Sequence, residues 1–327
     1  MSLEEDLRAT LRAEASSFHG EGPRIDMWHN VSAGVRRDRR RRAVLAGGAA
    51  AVALGAVVAV PVILANRDGR ALPGPPATPG PGSDWVRPSW AAPAFPFEPG
   101  WTPPGVGSPV VTVMGANVLL SYEHDSSVLA AETGPIEPSW EAEGEEDHDG
   151  EVGGRPATIR TASTFDGAEP GEEFVGVRWR AAGGDWMQVL SWGHRDEDDV
   201  LRFARELEPG SVPAGPADVA FALVPPEHSL QHQSDGSLCV AVPEVVTSER
   251  QPTGICAFVT DEAYSAVTEA GPEEVTVGGR AASYYTDAGK IDVDLGGGRT
   301  LEITWDTEAM PLTRDEAIRF AEGVTVR

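Results

Sequence analysis

Hydrophobic and polar positions divide the chain into regions with different periods. From Ala43 to Ala65 it reads AVLAGGAAAVALGAVVAVPVILA, 23 residues without a charged or strongly polar side chain. As a helix this run is about 34 Å long, enough to cross a hydrocarbon core of about 30 Å, and a helix satisfies its own backbone amides inside lipid. One transmembrane helix is therefore predicted over 43–65, with Pro61 bending its exit. Upstream, Leu3, Leu7, Leu11, Ala15 and Phe18 recur at helical spacing behind a capping box of Ser2 and Glu5. After the break at Gly20–Pro23, Asp26 is placed to cap a second helix with Trp28, Val31 and Val35 on one face. Two short amphipathic helices cannot bury such stripes alone. Leu7, Leu11, Trp28, Val31 and Val35 are thus expected to bind a partner protein, the membrane surface being the other place for them.

Downstream the period changes. Residues 66–104 carry LPGPPATPGPG and EPGWTPPG, a density of proline that favours extended backbone and predicts a stalk. Beyond it the chain repeats itself. Glu151-Val-Gly-Gly-Arg-Pro-Ala157 matches Thr276-Val-Gly-Gly-Arg-Ala-Ala282. Each is followed by a Gly-Gly turn (Gly183-Gly184, Gly297-Gly298) and a strand ending at Trp192 or Trp305. Each closes on a similar helix, Asp198-Asp-Val-Leu-Arg-Phe-Ala204 or Asp315-Glu-Ala-Ile-Arg-Phe-Ala321. Alternation in Phe174–Trp179 and Leu301–Trp305 has period two, so each strand presents one face to a core. The expected fold class is α+β: short cytoplasmic helices (1–42), one transmembrane helix (43–65), a Pro-rich linker (66–104), and two tandem external units (105–212 and 213–327), each an antiparallel sheet with a helix on one face.

Charge sets the orientation. Residues 1–42 hold nine Arg against seven acids, six of the Arg between 36 and 42, while only Arg67 and Arg70 follow the apolar run closely. The positive-inside rule puts the N-terminus in the cytoplasm and the large C-terminal region outside a plasma membrane crossed once. Arg41-Arg42 before the apolar run also resembles a twin-arginine export signal, but no clear A-x-A cleavage site follows the run. The net charge is −25, and about −27 of it falls after the apolar run. A polyanion of that size repels phosphates, which excludes nucleic acid as a partner of the external region.

Cys239 and Cys256 are the only cysteines, 17 apart and both in apolar, strand-like surroundings, so a disulfide is expected in an oxidising compartment. No Cys-x-x-Cys pair, zinc spacing, Gly-x-Ser-x-Gly elbow, His-Glu-x-x-His or phosphate-binding loop is present. Lys290 follows Asp287 rather than a serine, so the Ser-x-x-Lys signature is missing too. The acidic run Glu141–Glu151 has oxygen ligands but not the spacing of a calcium loop, and reads as a solvated loop. No catalytic residue, cofactor or metal site is assigned.

The order of acidic-leucine helix, Asp26-x-Trp28-x-x-Val31, Arg cluster and single span resembles actinobacterial membrane proteins encoded beside extracytoplasmic-function sigma factors, some of which are anti-sigma factors. That resemblance covers roughly the first 65 residues and implies a cytoplasmic sigma factor as partner. The zinc-binding His-x-x-x-Cys-x-x-Cys set of such proteins is absent around His29. The Gly-Gly strand, Trp-ended strand and closing helix are similar to external domains with RseB- or LolA-like half-barrels. The resulting expectation is a non-enzymatic, single-pass membrane regulator or sensor with an external ligand- or partner-binding region. Its alternative is an envelope-anchored structural or ligand-binding module without cytoplasmic signalling.

Overall fold

The computed structural model describes residues 85–124, 127–140, 146–163, 165, 168, 170–264 and 272–327. The helices expected in 1–42, with Leu7, Leu11, Trp28, Val31 and Val35, and the span 43–65 lie outside the described residues. Among the described residues, no helix is long and apolar enough to cross a membrane.

The first half of the described chain contains β1 (Ala94–Pro99), β2 (Pro109–Met114), β3 (Asn117–His124), β4 (Ser127–Gly134), β5 (Glu146–Val152), β6 (Arg155–Ala162), β7 (Glu173–Arg180), β8 (Trp186–Gly193), α1 (Glu197–Arg205) and β9 (Leu207–Pro213). The second half contains β10 (Val219–Phe221), β11 (Ser229–Ser234), β12 (Ser237–Ala241), α2 (Pro243–Ser248), β13 (Ile255–Thr260), β14 (Glu273–Val277), β15 (Arg280–Tyr285), β16 (Lys290–Gly296), β17 (Arg299–Thr304), α3 (Arg314–Ala321) and β18 (Val324–Val326). Apart from α2, the two halves repeat the same order of elements. Each lays its second to eighth strands into the sheet identically, β2-β3-β4-β8-β7-β6-β5 and β11-β12-β13-β17-β16-β15-β14. Each pairs its first strand with its last, β1 with β9 and β10 with β18. The repeated Gly-Gly-Arg sequences form matching hairpin turns. Gly153, Gly154, Gly278 and Gly279 all have φ between 55° and 82°, the left-handed pair that a two-residue type I′ turn requires.

The expected α+β class is corrected: the described residues are mainly antiparallel sheet. The two halves are not separate sheet-plus-helix units: β2 pairs with β11, and one antiparallel sheet of fourteen strands runs through both. Helices are a small part of the described fold. The repeat in the sequence identifies strands, but alternation says nothing about which free edge a strand offers, and here each half offers its second strand to the other. Residues 85–104, read as the end of a stalk, also belong to the fold. Val86 bridges Val224, Trp85 meets the Phe320 ring edge-on at 4.9 Å, and β1 pairs with β9. Proline is tolerated in β1 because a two-stranded ribbon leaves outward-facing positions that need no donor.

One face of the sheet carries the apolar stripes. Val200, Phe203 and Ala204 of α1 pack on Val175, Val177 and Val189, and Ala317, Phe320 and Ala321 of α3 pack in the cluster of Val277, Ile291 and Ile303. The opposite face is covered by connections, and in the first half it holds a third cluster around Phe174, Leu190 and Trp192.

The seam between the halves is short, pairing His232 with Met114 and Gln233 with Val113. Side chains complete it. Arg250, in the connection between α2 and β13, grips Glu132 of β4 with both arms: Nε donates to Oε1 at 2.9 Å and Nη2 to Oε2 at 2.6 Å. Glu132 is 1 % exposed and also accepts from Asn117 Nδ2 at 2.6 Å, while Arg250 Nη1 donates to Ser139 Oγ at 2.9 Å. A bulge in β11 turns Gln231 toward the same connection. Its amide donates to the carbonyls of Glu249 and Gln251 and accepts from the Thr253 N–H. Gly115, at φ +64°, donates its N–H to the Gln231 carbonyl at 2.7 Å, and a Cβ there would collide with the Glu249 carbonyl oxygen.

Removing one partner of a buried, hydrogen-bonded ion pair costs about 3–5 kcal/mol, because the other charge stays buried. Arg250→Met should therefore lose about that much stability in urea denaturation. Adding Glu132→Gln should recover at least half of the loss. An unchanged loss in the double variant would mean that Arg250 acts through packing and not through charge.

Candidate functional site

On the face opposite the helices, pairing aligns one row of side chains across each half. In the first half the row is Thr158, Arg178, Gln188, Glu132 and Leu119, one from each of β6, β7, β8, β4 and β3. In the second half the corresponding row is Ser283, Asp292, Glu302, Phe258 and Ser237, from β15, β16, β17, β13 and β12. The duplication makes the comparison direct: Asp292 stands where the first half has Arg178, and Glu302 where it has Gln188.

The charged side chains of the first row have partners of their own. Arg178 donates to the Pro138 carbonyl at 2.6 Å, lies 3.4 Å from a Glu137 oxygen, and stacks over Trp140 at 4.3 Å. Gln188 donates to the Ser139 carbonyl at 3.1 Å, and Glu132 has Arg250 and Asn117. Arg160, Trp140, Arg178, Trp186 and Arg180 form a ladder of guanidinium groups alternating with indoles. Arg160 is held by Asp147 at 2.6 and 2.7 Å. This ladder fastens the 135–140 connection to the sheet.

The second row contains two adjacent carboxylic acids. Asp292 and Glu302 are register partners on neighbouring strands, which puts their Cβ atoms roughly 5 Å apart on one face. They are 7 % and 4 % exposed. The Lys290 ammonium lies 3.6 Å from Asp292 Oδ1 and 4.5 Å from the centre of the Tyr285 ring. Tyr285 donates its hydroxyl to Asp292 Oδ2 at 3.0 Å. Burial pushes Asp292 up to about 6, with Lys290 and Tyr285 pulling the other way. Burial pushes Glu302 further, to about 8, and the Asp292 and Glu262 carboxylates add to the rise that Lys290 opposes. The Tyr285 hydroxyl is held protonated by burial and by Asp292. At neutral pH two carboxyls face one ammonium, and the pair retains a proton.

A third polar cluster lies within the sheet. His232 Nε2 is 2.9 Å from Ser237 Oγ, which is 2.6 Å from Ser234 Oγ. His232 is 3 % exposed, and burial pushes it down to about 4, so it is neutral and out of reach of any substrate. The chain of hydroxyls meets the buried imidazole at Nε2, while Nδ1 has no hydrogen-bond partner among the described residues.

Of the site residues expected from sequence, Cys239 and Cys256 are joined in a disulfide between directly paired positions of β12 and β13. The expected partner-binding residues Leu7, Leu11, Trp28, Val31 and Val35 lie outside the described residues. The acidic run reads differently: residues 146–151 are not a loop but most of β5, whose Asp147 pairs with Arg160. Among the described residues, no group of three His, Cys, Asp or Glu is arranged to hold a metal. Sequence reasoning missed Asp292, Glu302, Tyr285, Glu132 and Arg250. Lys290, the only lysine, was the available signal, since it stands two residues from one buried acid on the same face of a strand. Neither protein-family models nor curated protein sequences show a match to this chain. What the fold and the site define is thus a duplicated, mainly β, disulfide-bonded module with one buried acid pair.

Both acids hold protons more tightly when folded than their ordinary values near 4 allow. The folded state then binds more protons than the unfolded chain above about pH 4. The stability tied to these protons is complete below that range and is lost as pH rises through about 6 and about 8. Thermal melts should show Tm falling between about pH 5.5 and about 8.5. Glu302→Gln should raise Tm at the alkaline end by several degrees and leave the acidic end nearly unchanged. A variant with the parent's pH slope would exclude Glu302 as the titrating group.

Proposed function

We propose that this chain is a non-enzymatic, membrane-anchored regulator or sensor, with its N-terminal segment in the cytoplasm and the fourteen-stranded module outside. The observation that carries the reading is the Cys239–Cys256 disulfide in the region that follows the apolar run 43–65 and its Arg cluster. Disulfides persist in oxidising compartments, and the positive-inside rule assigns the same side to this region independently. The polar groups with the greatest chemical promise support a binding or sensing role over catalysis. His232 is sealed, the guanidinium ladder is internally paired, and Asp292 and Glu302 are covered.

In the cytoplasm, Leu7, Leu11, Trp28, Val31 and Val35 provide the apolar stripes that dock a partner, a sigma factor on the resemblance of the first 65 residues. The charge of the external region keeps it away from nucleic acid and directs it to an envelope protein or small ligand.

Two measurements test this. Alkaline phosphatase fused after Arg327 should be active in intact cells, and an inactive fusion would reverse the orientation. Capture of cytoplasmic proteins by the intact chain should yield a sigma factor that disappears when residues 1–35 are deleted. Identical partner sets would reduce that segment to an anchor and leave an envelope-binding module without signalling.

A further inference from the structure

The connection that leaves β13 crosses the acid pair. Thr300 Oγ1 of β17 donates to the Glu262 carbonyl at 2.6 Å, and the Tyr264 hydroxyl lies 2.8 Å from Ser283 Oγ of β15. Ser283, Asp292 and Glu302 form the row beneath these two attachments. Tyr264 and Glu262 therefore close over two carboxyls that the fold does not require. The equivalent positions in the first half, Arg178 and Gln188, build the same strands without any carboxyl.

We propose that the Asp292–Glu302 pair is a proton-controlled latch, which holds the segment Asp261–Tyr264 down while the pair keeps its proton and releases it when both carboxylates are ionised. This device goes beyond the membrane reading and does not depend on it. The groups facing the pair decide its sign. From β16 comes Lys290, which neutralises one carboxylate; from β15 comes Tyr285, which donates one hydrogen bond to Asp292. From the covering segment comes Glu262, whose charge opposes ionisation of Glu302. β13 contributes Phe258, an apolar neighbour of Glu302 that offers no hydrogen bond. Among the described residues, one ammonium thus faces three carboxyls. Loss of the pair's proton adds a second buried negative charge beside Lys290 and Glu262, and the accessible relief is to admit water by lifting the segment that carries Glu262. Burial holds Glu302 up to about 8 and Asp292 up to about 6, so the release falls between mildly acidic and mildly alkaline pH.

The test is hydrogen–deuterium exchange of the intact 327-residue protein in detergent, at about pH 5.5 and about pH 8.5, corrected for the intrinsic effect of pH on exchange. Peptides covering residues 258–264 and 300–304 should exchange on the order of tenfold faster at the higher pH, while peptides from β8 stay unchanged. Glu302→Gln should abolish that difference. The substitution is isosteric, and Gln188 already occupies the equivalent position of the other half. Asp292→Asn, which leaves Lys290 facing one acid fewer, should abolish it as well. No acceleration in the parent protein, or a Glu302→Gln protein that keeps the parent's response, overturns the latch.

Discussion

The bidentate pair between Glu132 and Arg250 closes the seam at which, among the described residues, the strands of the two halves pair, and the register of one half against the other depends on it. Two residue pairs join β2 to β11, too few to set a register by backbone hydrogen bonding alone. A slip by one residue would turn every side chain of a strand to the other face. The ion pair opposes such a slip, because Glu132 is fixed in β4, Arg250 in the connection before β13, and neither charge has water to fall back on. Replacing such a pair with apolar side chains often costs little, so its contribution here is specification of one arrangement more than net stability. Gln231 and Gly115 act at the same place by ordinary means, one by filling three backbone hydrogen-bonding positions, the other by giving the Glu249 carbonyl room.

With the seam fixed, the duplication becomes an internal control. Both halves fold the same strands in the same order, so whatever the fold itself demands has to appear twice. The turns with paired glycines, the helix with a buried Phe at position 203 or 320, and the ribbon of first and last strands all do. The polar rows do not. In the first half the charged groups find opposite charges or carbonyls close by, and the row is neutral by pairing. In the second half Asp292 and Glu302 sit side by side, and the row approaches neutrality by keeping a proton. A difference at fold-equivalent positions cannot be charged to the fold, which is the physical reason for treating the acid pair as a functional feature.

The sequence made some of this legible and hid the rest for definite reasons. The Val-Gly-Gly-Arg repeats and the Asp-Val-Leu-Arg-Phe-Ala helix were readable because turns and amphipathic helices are set by neighbours a few residues away. The pairing of Cys239 with Cys256 was readable because a chain with two cysteines offers one choice. The join of β2 to β11 was not, since alternation identifies faces and leaves edges unassigned. Glu302 was hidden for a related reason. In Leu301-Glu-Ile303 an acid between two apolar residues reads as a solvated position, and only the crossing of Glu262 and Tyr264 above it, fixed by distant hydrogen bonds, makes it a buried one. Arg250 reads as one of many surface arginines until Glu132 is found 118 residues away. The prolines of β1 suggested a stalk because composition reports what a segment disfavours, not the partner that pairs with it.

Fourteen strands in an open sheet leave two edges, and the charge of this protein acts on both. β5 presents Glu146, Asp147, Asp149 and Glu151, and β14 presents Glu273 and Glu274, all exposed. Two copies meeting edge to edge would bring like charges together, which blocks the sheet from growing into a polymer. The same surplus of negative charge makes a further buried anion harder to form anywhere in the module. Burial is the main reason that Asp292 and Glu302 hold their protons, and neighbouring acids add to it at Glu302. In this domain Lys290 is the only lysine and Glu262 lies overhead. The acids on the edges face solvent and keep copies apart, whereas Glu262 faces the buried pair and raises Glu302 further.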